Sequence, residues 1–393
     1  KLSLLKTVAT TIYVTITMKL IFKKPKSVDI LIYDRVGSEF IRRSLGKGKS
    51  WGILDVRGKT FNLYPPVLFY FISTIIGNLF VKSKYWQSIN LRMAAELAAI
   101  KFIQPKLVIT FVDNSRRFNF LSRIYPKATF IGVQNGLRGI EVADMAEYLC
   151  QTNFFCFGEE TKKRYQTEGC QIGRYVVGGS LKEGLYREVG SSSHEKKYDF
   201  CWISQYRPER FEKTMPELRH NSLQLLEFIQ KYCTENNKSL AIACSCKEKT
   251  FPYEYRFLLR VIQMKGVYLF PNDDDNFSSY RLIDQSKVSL TTNSTIGFES
   301  VSRGNKVLFC NFTNDEYYDV PSGYADGIWS LRGSGVTYGD FRDRVAVVSE
   351  LSNSEWLQLT QNMAQFFVQG GDKPLPQKML REEIDRVLLN DPV

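Results

Sequence analysis

The chain alternates between short β-branched apolar runs and longer stretches of helical composition, and most apolar runs end in a polar, small-residue cluster. Val28–Tyr33 leads into Asp34-Arg35-Val36-Gly37-Ser38, and Gly52–Val56 carries Asp55, Arg57 and Gly58 at its end. Lys106–Val112 runs into Asp113-Asn114-Ser115-Arg116-Arg117, and Ala128–Val133 into Gln134-Asn135-Gly136-Leu137-Arg138. Phe154–Phe157 and Tyr175–Val177 complete this first series. Runs bounded in this way read as strands, and the Ala-rich stretch Asn90–Ile103 reads as a helix. Pro65–Val81 is strongly apolar, interrupted by Ser73, Gly77 and Asn78, and reads as a buried helix. Such alternation predicts an α/β protein with a doubly wound parallel sheet, in which ligands bind at the carboxyl ends of the strands. The polar clusters should therefore share one rim.

The segment Val189–Tyr198 is small, polar, charged and without periodicity, which marks a linker and a domain boundary. A second series follows it. Asp199–Ile203, Ser239–Cys244 and Val267–Phe270 read as strands, with Leu223–Cys233, Tyr253–Met264 and Ser279–Gln285 as helices. Trp356–Val368 and Gln377–Leu389 read as terminal helices.

The stretch Lys287–Asn311 holds the densest signal. Val288–Thr291 is a strand, Asn293, Ser294 and Thr295 stand where a helix should begin, Gly304 ends that helix and Lys306–Cys310 is the next strand. Free N–H groups and the positive dipole end make such a helix start a site for phosphate. Gly297 would let a ligand approach the backbone, and the Glu299 carboxylate would accept from ribose hydroxyls. An ordinary crossover, with the Ser-Thr pair acting only as an N-cap, fits the same residues.

Composition narrows the functional classes. The 393 residues carry 44% hydrophobic and 24% charged side chains, a globular balance with room for two domains. The formal charge of +12 favours polyanions, phosphorylated ligands or an anionic membrane face. The basic residues are dispersed and form no nucleic-acid motif, so nucleic acid is not an expected partner. Eight cysteines without zinc spacing read as buried free thiols of a reducing cytosol, and two histidines leave no room for a His-based triad or metal site. Residues 1–22 contain too much Thr and Lys for a membrane span; followed by Lys23, Lys24 and Lys26, they read as a docking helix, an extra strand or a membrane-surface contact.

The order Ser294-Thr295, Gly297, Glu299, Gly304 and an apolar strand resembles the nucleotide-binding segment of GT-B glycosyltransferases. The Ser-Thr pair is similar to the motif of bacterial sialyltransferases and capsule Kdo transferases. Together with TFVDNS before an apolar strand and QNG, most of the chain resembles O-antigen and surface-carbohydrate biosynthesis proteins. The resemblance implies the GT-B plan: two Rossmann-like domains facing a cleft, with a C-terminal helix returning to the first. Residues 1–188 would form the acceptor domain, 199–370 the nucleotide-sugar domain and 371–393 the crossing helix.

It also implies a metal-independent glycosyltransferase without cofactor, acting in surface-polysaccharide assembly. The expected donor is a CMP-linked Kdo-like or nonulosonic acid, and the acceptor an oligosaccharide or lipid-linked glycan. The expected location is the cytoplasm, with peripheral contact to the inner membrane left open. Related enzymes carry two acids and Gly where this chain has Gln134-Asn135-Gly136, and neither amide serves as a base or forms a glycosyl ester. Asp113 at its strand end is then the expected reacting carboxylate, with Asp34 and Asp55 as alternatives, or Asp113 merely caps the following helix. Asn135 is placed beside it in catalysis; Gln134, Asn114 and Asp34 would orient acceptor or sugar hydroxyls. Arg138 would meet a donor carboxylate. Ser204-Gln205-Tyr206-Arg207 begins the second domain's first loop, and Arg207 suits a phosphate. Lys247, in a region without the His-Pro pair of sialyltransferases, would substitute as the cation. Asp273-Asp274-Asp275 reads as a solvated turn. Two other readings remain. A teichoic-acid-type glycerophosphotransferase would need catalytic histidines that His194 and His220 do not obviously supply, and a non-catalytic subunit of a glycan-assembly complex would suit the amides.

Overall fold

Ile30–Tyr33, Leu107–Thr110 and Leu240–Ala243 are buried at every position. Strands buried on both faces belong to parallel sheets covered by helices on either side. The computed structural model describes residues 19–58, 60–80, 89–190, 195–206, 215–247, 252–272, 277–318, 320, 324, 326–371 and 373–389.

In the first half, β1 (Lys19–Ile21) pairs in parallel with β4 (Thr60–Asn62) as a small separate sheet. The main sheet is six-stranded and parallel throughout. Its order is β3 (Trp51–Leu54), β2 (Ile30–Tyr33), β5 (Leu107–Thr110), β6 (Thr129–Val133), β7 (Cys150–Cys156) and β8 (Gln171–Val177). Its helices are α1 (Ser38–Ser44), α2 (Pro65–Phe80), α3 (Leu91–Ile103), α4 (Arg116–Ile124), α5 (Glu141–Ala146), α6 (Glu159–Thr167) and α7 (Leu181–Gly190). Helix α2 departs from the expectation of a buried helix. Val67 and Thr74 are covered, while Phe69, Ile72 and Ile76 face solvent.

The second sheet is separate, also six-stranded and parallel. Its order is β11 (Val267–Phe270), β10 (Leu240–Ala243), β9 (Tyr198–Ile203), β12 (Ser286–Thr291), β13 (Lys306–Asn311) and β14 (Ser330–Arg332). Helices α8 (Pro216–Glu235), α9 (Tyr253–Val261), α10 (Ser278–Asp284), α11 (Thr295–Ser302) and α12 (Tyr338–Glu350) cover it. The strand α12 follows and α12 itself lacked a legible sequence pattern; Thr337 and Asp340 start that helix with a reciprocal capping box.

Helix α13 (Asn353–Phe367) packs on α11 and α6, and Gln369 N–H then bonds to the Phe157 carbonyl at 2.8 Å. Gly158 is required there: a Cβ would lie 2.3 Å from the Phe366 carbonyl oxygen. Helix α14 (Pro376–Leu389) returns to the first domain, burying Leu380, Ile384 and Val387 with Phe40, Ile41 and Leu185. Two Rossmann-like sheets, a cleft and a returning C-terminal helix make the GT-B plan.

All eight cysteines are free; Cys150 and Cys170 are half-buried and the other six buried. No described helix is long and apolar enough to cross a membrane.

Candidate functional site

In the second sheet β9 lies between β10 and β12, so the chain leaves β9 in opposite directions on the two sides. That is a topological switch point, where the loops at the strand ends part and leave a crevice. The two loops are Ser204-Gln205-Tyr206, after β9, and Thr292-Asn293-Ser294, after β12. Gln205 ties them together. Its Nε2 donates to Asn293 Oδ1 at 3.0 Å, and its Oε1 accepts the Asn293 N–H at 3.1 Å and the Thr291 hydroxyl at 3.3 Å.

Ser294 is the N-cap residue of α11 in extended conformation, yet its side chain makes no capping bond. Gly297 packs tightly: a Cβ would lie 2.9 Å from Phe309 and 3.0 Å from Thr291. Its lack of a side chain serves the contact of α11 with the sheet behind it. Lys247 closes the loop after β10, on the same rim, and is half-buried. Arg207 and Asp273–Asp275 lie outside the described residues.

Glu254, on α9, organises this rim and was not legible as a site residue; it reads as an ordinary first-turn acid. Its Oε1 accepts the Ser204 hydroxyl at 2.5 Å and the Ser245 N–H at 3.1 Å, and its Oε2 the Cys246 N–H at 2.8 Å. Burial pushes its carboxyl above the ordinary range while these donors pull it down.

On the first domain, Asp113 is fully buried at the end of β5. Its Oδ1 accepts from Arg138 at 3.0 Å and from the Asn135 N–H at 3.3 Å, while its Oδ2 is sealed with no hydrogen-bond partner. Burial pushes the Asp113 carboxyl up and Arg138 opposes it. Arg138's own burial works against its charge, but Asp113, with Tyr165 and Glu141 adding to it, outweighs the burial and keeps the guanidinium protonated. The capping role open to Asp113 belongs to Ser115, whose side chain accepts the Phe118 N–H.

Arg138 also donates to the Gly136 carbonyl at 2.7 Å and to Asn135 Oδ1 at 2.9 Å, so it fastens its own loop. Its side chain is only 7% exposed, which leaves little of it for a donor carboxylate in this arrangement. Gln134 is engaged on both ends: Nε2 donates to the Gly136 carbonyl and Thr161 hydroxyl, and Oε1 accepts the Phe157 N–H at 2.8 Å. Asn135 and Asn114 are exposed on the rim. Asp34 is buried at φ 83°, its Oδ2 accepting from Arg57 at 2.6 Å and its Oδ1 from the Val36 N–H. Asp55 pairs with Arg35 at 3.3 Å.

Side-chain hydrogen bonds join the domains. Thr295 Oγ1 accepts the Leu137 N–H at 3.1 Å, bringing the Gln134–Arg138 loop onto the first turn of α11. Glu299 is buried, one oxygen accepting the Ser180 hydroxyl from the first domain and the other the Tyr280 hydroxyl at 2.5 Å. The oxygens expected to meet a ribose are taken by these hydroxyls. Around Glu299 lies a network the sequence did not reveal. Arg303 pairs with Asp284 at 3.1 Å, and the Tyr186 hydroxyl of the first domain donates to Asp284 at 2.8 Å. Buried Glu183 is pushed up to about 7 by desolvation, with Arg303 and Arg187 opposing and Glu299 and Asp284 adding to the shift. The signal in the sequence that points to this network is Gly178-Gly179-Ser180, a small-residue cluster directly after the apolar run Tyr175–Val177.

Solved structures with the same fold are a UDP-GlcNAc 2-epimerase from Neisseria meningitidis bound to UDP-GlcNAc, a glycotransferase of kitacinnamycin and the wall teichoic acid polymerase TagF. The epimerase is 14% identical, with TM-score 0.52, over 92% of this chain and 99% of that one. The glycotransferase is 11% identical, with TM-score 0.52, over 93% of this chain and 100% of that one. The polymerase is 8% identical, with TM-score 0.51, over 92% of this chain and 89% of that one. At such identities the likeness shows the fold. No curated protein matches the chain. A family model described as "putative O-antigen biosynthesis protein" matches residues 131–328, from β6 through the switch point to the approach to β14. That span holds the Gln134–Arg138 loop, Gln205, Glu254 and the Asn293–Glu299 turn and covers just over half of the chain, which therefore belongs to this O-antigen biosynthesis family.

Proposed function

We propose that the protein is a GT-B glycosyltransferase of bacterial surface-polysaccharide assembly, moving a sugar from a nucleotide donor to an oligosaccharide or lipid-linked glycan. One observation carries the reading. The Gln134–Arg138 loop, which holds the Asp113–Arg138 pair, sits against the start of α11 through Thr295. An acidic strand end of one domain is thus brought to an anion-favouring helix start of the other. Residues 1–188 take the acceptor, 199–370 the donor, and 371–393 brace the two.

The donor is a CMP-linked Kdo-like or nonulosonic acid in this reading. Its phosphate meets the N–H groups at Ser294 and Thr295, with Lys247 and Arg207 supplying positive charge. These groups offset the charge of the leaving phosphate without a metal ion. Asp113 is the reacting carboxylate and Asn135 its neighbour on the rim. Because Asp113 is sealed here, its Oδ2 reaches an acceptor hydroxyl only when the Asn135–Arg138 loop shifts. The reaction takes place in the cytoplasm, at the inner membrane face when the acceptor is lipid-linked.

Calorimetry against CMP, UDP, GDP and dTDP, followed by a donor-hydrolysis assay, tests this. Preferential CMP binding with turnover supports the full reading. Preference for UDP, the nucleotide carried by the epimerase's UDP-GlcNAc, replaces the donor and keeps the reaction class. Binding of none, with no hydrolysis, leaves a non-catalytic subunit of a glycan-assembly complex.

A further inference from the structure

At the β3 edge of the first sheet, bordered by α2, α3 and the small β1–β4 sheet, lies a cavity of about 400 Å³. Small-molecule sites run from roughly 300 to 1,000 Å³, so it is large enough for one. Its walls divide by chemistry. Ile53 and Leu54 of β3, Val67 and Phe71 of α2, and Ala95 and Ala99 of α3 make an apolar lining. The two alanines are four residues apart on a helix and so share a face. They are half-buried, whereas their neighbours Ala94 and Ala98 are fully buried in the core. Their small side chains leave room that longer ones would fill.

The rest of the wall is cationic. Lys23, Lys24, Lys26 and Arg92 all line the cavity. The segment that carries the lysines is fixed at its start, where Asn62 Nδ2 donates to the Lys23 carbonyl and the Leu63 N–H to the Ile21 carbonyl, each at 2.8 Å. Two carboxylates share the lining, but each is engaged by an arginine outside it. Asp55 pairs with Arg35 at 3.3 Å, and Glu96 accepts from Arg117 and from the Tyr33 hydroxyl at 2.6 Å. Lys23, Lys24 and Lys26 enter no ion pair among the described residues, and Arg92 donates to the neutral Val56 carbonyl at 2.7 Å. The cations favour an anion, and the apolar walls favour hydrocarbon over water. Asp55, Val56 and Gly58 follow β3 and also line the cavity, so it reaches the rim of strand ends. On that rim β3 is two strands from β5, about 10 Å at the usual spacing, and Asp113 stands at the end of β5.

We infer that this cavity binds an amphipathic phosphate, that is, a phosphate or pyrophosphate ester of a hydrocarbon alcohol. Lys23, Lys24, Lys26 and Arg92 meet its charge, and the side chains of α2, α3 and β3 enclose the first carbons of its chain. A lipid-linked glycan carries this group, so the cavity gives the acceptor an anchor on the rim that holds Asp113. That role rests on the glycosyltransferase reading; the site itself rests on the cavity and its lining.

The test is calorimetry of the full chain with inorganic pyrophosphate, geranyl pyrophosphate and geraniol. Geranyl pyrophosphate is expected to bind at least about tenfold tighter than inorganic pyrophosphate, a gain that burying about two methylene groups supplies. Its binding weakens as salt rises. Lys23→Gln, Lys24→Gln and Lys26→Gln together lower its affinity roughly tenfold, at a few-fold per exposed charge pair. Ala95→Leu with Ala99→Leu fills the apolar part and brings geranyl pyrophosphate down to the level of inorganic pyrophosphate. Circular dichroism and melting check that both variants fold, and either one alone suffices to locate the site. Inorganic pyrophosphate binding as tightly as geranyl pyrophosphate makes the ligand a free phosphate and overturns the proposal. Geraniol binding as tightly overturns it too, because the cations then play no part. So does geranyl pyrophosphate that fails to bind the native chain, or that binds both variants like the native chain. Nucleotide calorimetry on the same preparations separates the two readings. Geranyl pyrophosphate binding without nucleotide binding keeps the site and removes its role as acceptor anchor, whereas nucleotide binding without it removes the site alone.

Discussion

The Thr295 hydroxyl accepts the backbone N–H of Leu137 at 3.1 Å, joining residues 158 apart in sequence and the two halves of the fold. Thr295→Val keeps the shape and removes the acceptor, leaving that N–H without its partner. Stability should fall by about 1–2 kcal/mol in urea unfolding, the cost of an unpaired donor. If the variant is as stable as the native chain, water replaces the hydroxyl and the contact does not hold the domains together.

Asp113 is tied to Arg138 and to the Asn135 N–H in a fully buried setting. Asp113→Ala removes the counter-charge and should cost about 3–5 kcal/mol, as when one partner of a buried ion pair is deleted. Asp113→Asn keeps much of the hydrogen bonding, so it is the variant for activity. In the proposed reaction it lowers turnover roughly 10²-fold or more while donor affinity is unchanged. Normal turnover in a folded Asp113→Asn protein would assign the carboxylate to holding Arg138 alone.

Glu299 accepts hydroxyls from Ser180 and Tyr280, so Glu299→Ala strands two buried donors. The expected loss is roughly 2–6 kcal/mol of unfolding free energy at about 1–3 kcal/mol per orphaned group. Denaturant unfolding and nucleotide calorimetry should be run side by side. Unchanged stability with weakened nucleotide binding would return Glu299 to the donor site.

Burial raises the Glu183 carboxyl from 4.5 to about 7. The folded protein therefore holds this proton more tightly than the unfolded chain. Its stabilising contribution is complete below the unfolded value and is lost as pH rises from about 4.5 through about 7. The full difference is about 3 kcal/mol at 1.36 kcal/mol per unit. Glu183→Gln should flatten the pH dependence of stability over that interval relative to the native chain. Parallel profiles would show that Arg303 and Arg187 keep Glu183 ionised throughout.

The pattern of apolar runs and polar strand ends determined the secondary elements, the two parallel sheets and the rim on which the loops gather. It could do so because strand burial, turn chemistry and helix starts are local: Ser294-Thr295 at a helix start and Gly304 at its end are legible in adjacent letters. Partners were not. Glu299 reads as a carboxylate free for a ligand until folding brings Ser180, 119 residues away, against it. Arg138 reads as a cation for a donor until its side chain turns back on Asp113. Helix α2 reads as core because composition does not say how many of its sides find neighbours. Burial and pairing depend on which surfaces meet, and only the tertiary arrangement of the two domains decides that.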